Sequence, residues 1–149
     1  MTRDKKNVRA LFTKLKHAPL YKFSPFGERL IAPMSQGVYV ICGPGGRIAH
    51  VGRTPRASGG IWQRLRNHMA GASSFTRVTL NREGSKLRGR YSYRCLAVKS
   101  PRLRALLEAY AIGVLCRSIL VLDRSFLTSH TADGRYHHAT CGARGAPAR

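Results

Sequence analysis

The chain has only six carboxylates among its 149 residues, and one of them stands where a carboxylate is costly. From Ala105 to Leu115 the sequence runs ALLEAYAIGVL, apolar apart from Glu108. A helix that is apolar nearly all round is a buried helix, and a carboxylate inside it needs a counter-charge or a cation. Arg104, one turn back, could supply an intrahelical pair worth about 0.3–0.5 kcal/mol at a surface. A bound divalent ion is the other solution. The remaining acids, Asp4, Glu28, Glu83, Asp123 and Asp133, fall in expected loops, ends or tails. Glu108 is therefore the candidate functional acid.

Two other groupings carry proton-transfer and phosphate-binding chemistry. Gly37-Val-Tyr-Val-Ile-Cys42 and Arg47-Ile-Ala-His-Val-Gly52 flank Gly-Pro-Gly-Gly, the pattern of a hairpin with a four-residue loop. Pairing Cys42 with Arg47 sets Tyr39 directly opposite His50, with Cβ atoms about 4.5–5.5 Å apart on one face. A phenol and an imidazole so placed form either an ordinary aromatic pair or a proton-transfer pair. The helix expected from Ile61 to near Ala70 has an apolar stripe of Ile61, Trp62, Leu65 and Met69. Arg64 and His68 lie one turn apart on its shoulder, from which they can lean over Tyr39 and His50. A guanidinium offers a planar fork of donors for phosphate oxygens. An arginine on a helix shoulder is often merely solvated, as Arg66 is expected to be.

The elements that must position these groups follow from periodicity. Residues 1–17 predict a basic helix with Val8, Leu11, Phe12 and Leu15 on one side. Residues 18–35 contain Pro19, Pro25 and Pro33 and predict an extended, wrapped segment. Its Tyr21, Phe23 and Phe26 either pack on the core or stack on bases. Tyr91 to Val98 alternates like a strand, and Ser100-Pro101 opens a helix with Ser as N-cap and Pro at the first helical position. Strand, strand, helix, strand, helix predicts an α+β domain, a small antiparallel sheet of about three strands flanked by helices. The expected division is a basic N-terminal extension over 1–34, a core domain over 35–127 and a flexible basic tail over 128–149.

Charge narrows the partners. Lys and Arg number 27 and the net charge is +21, while apolar residues make up 43%, enough for a core. Such a charge repels itself, and a polyanion is its natural complement. Nucleic acid is the first expectation and an anionic membrane surface the second. The first ten residues lack the apolar stretch of a secretory leader, and the run from Ala105 to Leu122 is broken by Glu108, Arg117 and Ser118. No membrane span is expected. Cys42, Cys95, Cys116 and Cys141 are far apart with no CxxC, which points to reduced thiols and a soluble, cytoplasmic protein. Arg82, Lys86, Arg88 and Arg90, in a loop with two glycines, can grip a phosphate backbone together with Arg53, Arg56 and Arg66, or form a solvated loop. His130, His137, His138 and Cys141 lack metal-ligand spacing, so no zinc site is expected.

Gly37-Val38-Tyr39, followed after ten intervening residues by His50-Val51-Gly52-Arg53-Thr54, resembles the paired tripeptides of the GIY-YIG nuclease family. Arg64 and His68 are similar to that family's helix arginine with a His or Tyr four residues on, and Glu108 to its lone metal-binding Glu in an apolar helix. The resemblance spans roughly residues 35–127. It departs at His50, where the family has a second tyrosine, and at Asp123, which occupies about the place of a late Asn. The resemblance implies a GIY-YIG-like fold and a metal-dependent endonuclease hydrolysing phosphodiester bonds, in DNA rather than RNA. Tyr39 would be the general base, assisted by His50 or His68. Arg64 would neutralise charge on the non-bridging oxygens, and Glu108 would hold one Mg²⁺ or Mn²⁺. The alternative is a non-catalytic DNA- or RNA-binding protein on the same scaffold, such as a ribonucleoprotein subunit.

Overall fold

In the computed structural model, which describes residues 2–55 and 58–116, a four-stranded antiparallel sheet lies between two layers of helix. Its order is β1 (Tyr21–Lys22), β4 (Ser92–Ala97), β2 (Gly37–Cys42), β3 (Ile48–Arg53). All of β2 is buried. Successive strand residues face opposite sides, so a strand with no polar face needs cover on both. Tyr39 and Ile41 face α2 (Gly60–Met69) and α3 (Ser74–Thr79), packing with Ile61, Leu65 and Phe75. Val38, Val40 and Cys42 pack with Leu15 of α1 (Arg3–His17) and with Leu107 and Ala111 of α4 (Pro101–Leu115). The class is α+β, as the order of elements predicts.

The N-terminal segment is more integral than a basic extension. Val8 and Leu15 of α1, with Phe23 and Leu30 beyond it, are buried. β1 pairs Tyr21 with Tyr93 and Lys22 with Ser92, adding a fourth strand where about three are expected. Two residues are too few to show a strand period among prolines. The wrapped segment also closes the start of α2, whose first N–H groups lack partners within the helix. Ile61 N donates to Ser35 O and Trp62 N to Pro33 O, each at 3.0 Å. Gly60 makes this approach feasible, since it has φ 55° and any Cβ there would strike the Met34 carbonyl.

The hairpin register differs from the expected one. Cys42 pairs with Ile48 rather than Arg47, a 3₁₀ turn occupies Pro44–Gly46, and the pairing is irregular between Ile41 and Cys42. Tyr39 therefore opposes Gly52, and His50 opposes Ile41. The loop is one residue longer than expected, and the irregularity beside Cys42 adds a second residue to the shift. Because the shift is two residues and the side-chain period is two, Tyr39 and His50 keep a common face as diagonal neighbours.

Helix α4 starts as expected, with Ser100 Oγ accepting from Leu103 N at 3.3 Å and Pro101 in its first turn. It is not buried all round, however: Leu107 and Ala111 face the sheet while Leu106, Ala109, Gly113 and Val114 are exposed. A helix in an outer layer has only one face to bury. Arg104 makes no pair with Glu108. It is buried and donates from Nη1 to the Val98 and Lys99 carbonyls at 3.0 and 2.8 Å. No helix among the described residues is long and apolar enough to cross a membrane. Cys42 and Cys95 are free thiols, whereas Cys116 is disulfide-bonded, against the expectation of four reduced cysteines. Sequence spacing alone cannot show which distant thiols meet.

Candidate functional site

Tyr39 is wholly buried on the face toward α2, and its phenol fills the space above Gly52. A Cβ on Gly52 would lie 2.5 Å from Tyr39 Oη and 2.7 Å from Cζ, so only a glycine fits beneath the ring. From Oη a line of polar atoms runs into α3. His68 Nε2 lies 2.8 Å from Tyr39 Oη, and His68 Nδ1 lies 2.6 Å from Ser73 Oγ. Ser73 Oγ is 2.9 Å from Thr76 Oγ1 and caps α3 by accepting from Thr76 N. His50 stands beside this line, its ring 6.0 Å from Tyr39, 5.3 Å from His68 and stacked on Phe75 at 4.9 Å.

Burial sets the protonation of these groups. It pushes the Tyr39 phenol up to about 12, with Arg64 pulling it down and Glu108 pushing it up. Burial, then His50 and Arg64, push the His68 imidazole down to about 2. At neutral pH the pair is a phenol and a neutral imidazole. A neutral imidazole has one donor and one acceptor nitrogen, so its Nε2 can accept the phenolic proton's hydrogen bond or donate to the phenol oxygen.

Gly52 also forms part of the wall of a cleft of about 230 Å³, lined by His50, His68, Ser73, three arginines (Arg53, Arg64 and Arg77) and Glu108. Arg64 Nε is buried and has no hydrogen-bond partner among the described residues. A buried guanidinium N–H without an acceptor fits an incoming anion. Arg53 Nε donates to Glu108 Oε2 at 2.7 Å, the two side chains being 36% and 13% exposed. Among the described residues no group of three or more His, Cys, Asp or Glu could share a metal ion. A cation at Glu108 would have one protein carboxylate and would take its other ligands from water and substrate. That donor set fits Mg²⁺, which binds carboxylate oxygen and keeps most of its water.

Tyr39, His50, Arg64, His68 and Glu108, the residues singled out for chemistry, thus gather at one place, with Arg53 among them. The other basic candidates among the described residues do not line this cleft. Arg66 is exposed and lies over the Trp62 ring at 4.7 Å. Arg82 is exposed at φ 66°, Lys86 pairs with Glu83 at 3.0 Å, and Arg90 is exposed. Arg88 donates to the Ser24 and Pro25 carbonyls and lies 4.4 Å over Phe26, which is 80% exposed. Arg56, Asp123, His130, His137, His138 and Cys141 lie outside the described residues. Ser73, Thr76 and Arg77 were not expected at the site. Their signal was local: Ser73 precedes Ser-Phe-Thr-Arg as a helix N-cap would. Among known proteins, no family model, no curated sequence and no solved structure matches the chain.

Proposed function

We propose that this chain is a metal-dependent endonuclease with a GIY-YIG-like catalytic unit, acting on nucleic acid and on DNA in the first place. The observation that supports it most is the hydrogen bond from the buried Tyr39 to His68, a residue that lines a cleft together with Arg64 and Glu108. A proton-passing pair, an arginine with an unspent donor and a lone carboxylate are the parts that phosphodiester hydrolysis needs. The net charge of +21 suits the polyanionic substrate.

In this reading a phosphate enters the cleft and meets Arg64 and Arg77, and Arg64 holds the charge that grows on the non-bridging oxygens. A water reaching Tyr39 past Gly52 and His68 gives a proton to the phenol oxygen as the phenolic proton moves to His68. The water oxygen bonds to phosphorus, the bond from phosphorus to the leaving oxygen breaks, and that oxygen takes a proton from solvent. Bound at Glu108, Mg²⁺ or Mn²⁺ would supply Lewis-acid stabilisation of the phosphate charge. Labelled single- and double-stranded oligonucleotides, incubated with the purified chain and Mg²⁺, Mn²⁺ or EDTA, test the proposal. Cleavage should need metal and should vanish in Tyr39→Phe while binding persists. Binding without cleavage under every condition would instead support the non-catalytic nucleic-acid-binding reading.

A further inference from the structure

We propose that Ser73 is a positioning residue that holds His68 in its Nδ1–H tautomer and so turns the Nε2 lone pair toward Tyr39. The tautomer follows from proton accounting along the line of polar atoms, taken from both ends. At the far end, Thr76 Oγ1 donates to Ser73 O at 3.1 Å, which uses its single proton. In the 2.9 Å contact between the two hydroxyls, Ser73 Oγ is then the donor, and its own proton goes to Thr76. Ser73 Oγ is left to accept, from Thr76 N at 3.1 Å and from His68 Nδ1–H at 2.6 Å. At the near end, Arg64 sits beside the Tyr39 oxygen and can only donate to it. The phenolic proton needs an acceptor, and His68 Nε2 at 2.8 Å supplies one. Both ends require the same ring: proton on Nδ1, lone pair on Nε2.

Resting on the proposed nuclease reading, this tautomer gives the proton its route. As the attacking water loses a proton to Tyr39 Oη, the phenolic proton passes to His68 Nε2. In the empty site burial, His50 and Arg64 disfavour a charged ring; the negative charge of a phosphate bound in the cleft favours it, and the resulting imidazolium has its second N–H already pointing at Ser73 Oγ. No proton is gained or lost between water, Tyr39 and His68. With the proton on Nε2 instead, His68 would have no lone pair facing the phenol and the relay would be blocked.

Long-range ¹H–¹⁵N spectra of the histidine rings, recorded on the labelled full chain at neutral pH without metal or nucleic acid, read the tautomer directly. His68→Gln identifies the resonance among the six histidines. The wild type should show Nδ1–H at His68. Ser73→Ala should lose it, giving Nε2–H or an exchanging mixture, and Ser73→Asp should retain it, because a carboxylate both caps the helix and only accepts. Cleavage should fall about 10-fold or more in Ser73→Ala and recover in Ser73→Asp. An Nε2–H ring in the wild type overturns the proposal, as does an unchanged Nδ1–H ring in folded Ser73→Ala. If Ser73→Ala does not fold, the wild-type and Ser73→Asp spectra still decide. The predicted tautomers in a chain that cleaves nothing would support the role of Ser73 and remove the nuclease reading alone.

Discussion

Arg53 Nε donates to Glu108 Oε2 at 2.7 Å, tying the edge strand β3 to α4 through an acid that lines the cleft. In the proposed reading, a divalent cation that takes the same carboxylate oxygen competes with Arg53 for it. The pair is partly exposed, and such pairs contribute about 1 kcal/mol or less. Arg53→Ala should therefore melt close to wild type and bind Mn²⁺ several-fold more tightly when Mn²⁺ is titrated without nucleic acid. Glu108→Gln should abolish that binding and reduce cleavage by orders of magnitude. Unaltered Mn²⁺ affinity in Arg53→Ala would show that the two do not compete.

The charge excess makes a second expectation quantitative. Each phosphate neutralised on duplex DNA steepens the fall of log K against log[salt] by about 0.9. With three arginines in the cleft and further exposed basic residues at Arg66, Arg82 and Arg90, the slope should correspond to at least about 5 contacts. Binding isotherms on one duplex across a salt series measure it. An affinity that barely changes from low to moderate salt would remove nucleic acid as the partner.

What the sequence revealed and what it hid have separate physical causes. Elements with local signals were legible: the strand Gly37–Cys42 ahead of the Gly-Pro-Gly-Gly loop and the Ser100-Pro101 start of α4 need only local rules. The common face of Tyr39 and His50 was legible too, because parity survives a two-residue slip. Their direct opposition was not, since the turn over Pro44–Gly46 and the irregularity at Ile41 decide the register. The partner of Glu108 was hidden for a different reason. Arg104, four residues away, is a neighbour by helix geometry but is drawn to the Val98 and Lys99 carbonyls. Arg53, 55 residues away in sequence, becomes a neighbour only when α4 packs beside β3. Ser73 and Thr76 escaped because a six-residue helix shows little periodicity.

Gly52 offers a test that needs no substrate. Its missing side chain is the space in which the Tyr39 phenol lies, and an added Cβ would come within 2.5 Å of Oη and 2.9 Å of His50 Nε2. Contacts that close cannot persist, and both rings are buried with little room to retreat. Overpacking of this kind costs about 1–3 kcal/mol. Gly52→Ala should lower stability by that amount in urea unfolding, and whatever folds should have lost the Tyr39–His68 hydrogen bond and with it cleavage. Wild-type stability together with wild-type cleavage in Gly52→Ala would contradict the position given to the phenol.

His68 should make the chain sensitive to acid. Its ordinary pKa is 6.5, and burial, His50 and Arg64 bring it to about 2 in the folded protein. Between those two values the unfolded chain binds a proton on this ring and the folded chain does not. Stability then rises with pH, because the unfolded state binds more protons. The contribution of His68 is fully present above 6.5 and is lost progressively as pH falls toward about 2. The loss amounts to at most about 1.4 kcal/mol for each unit of pH. His68→Gln keeps a polar side chain of similar reach but has no proton to bind. Urea unfolding of both proteins at a series of pH values from 7 down to 4 isolates the effect, since the other titrating groups cancel in the difference. The variant should be the less stable protein at pH 7, where it has lost the bonds of the ring to Tyr39 and Ser73. That deficit should shrink as the pH falls, and the variant should overtake the wild type if the loss outgrows it. A difference that stays constant over the whole range would mean that His68 is not kept neutral by its burial, and the neutral phenol–imidazole pair would have to be abandoned.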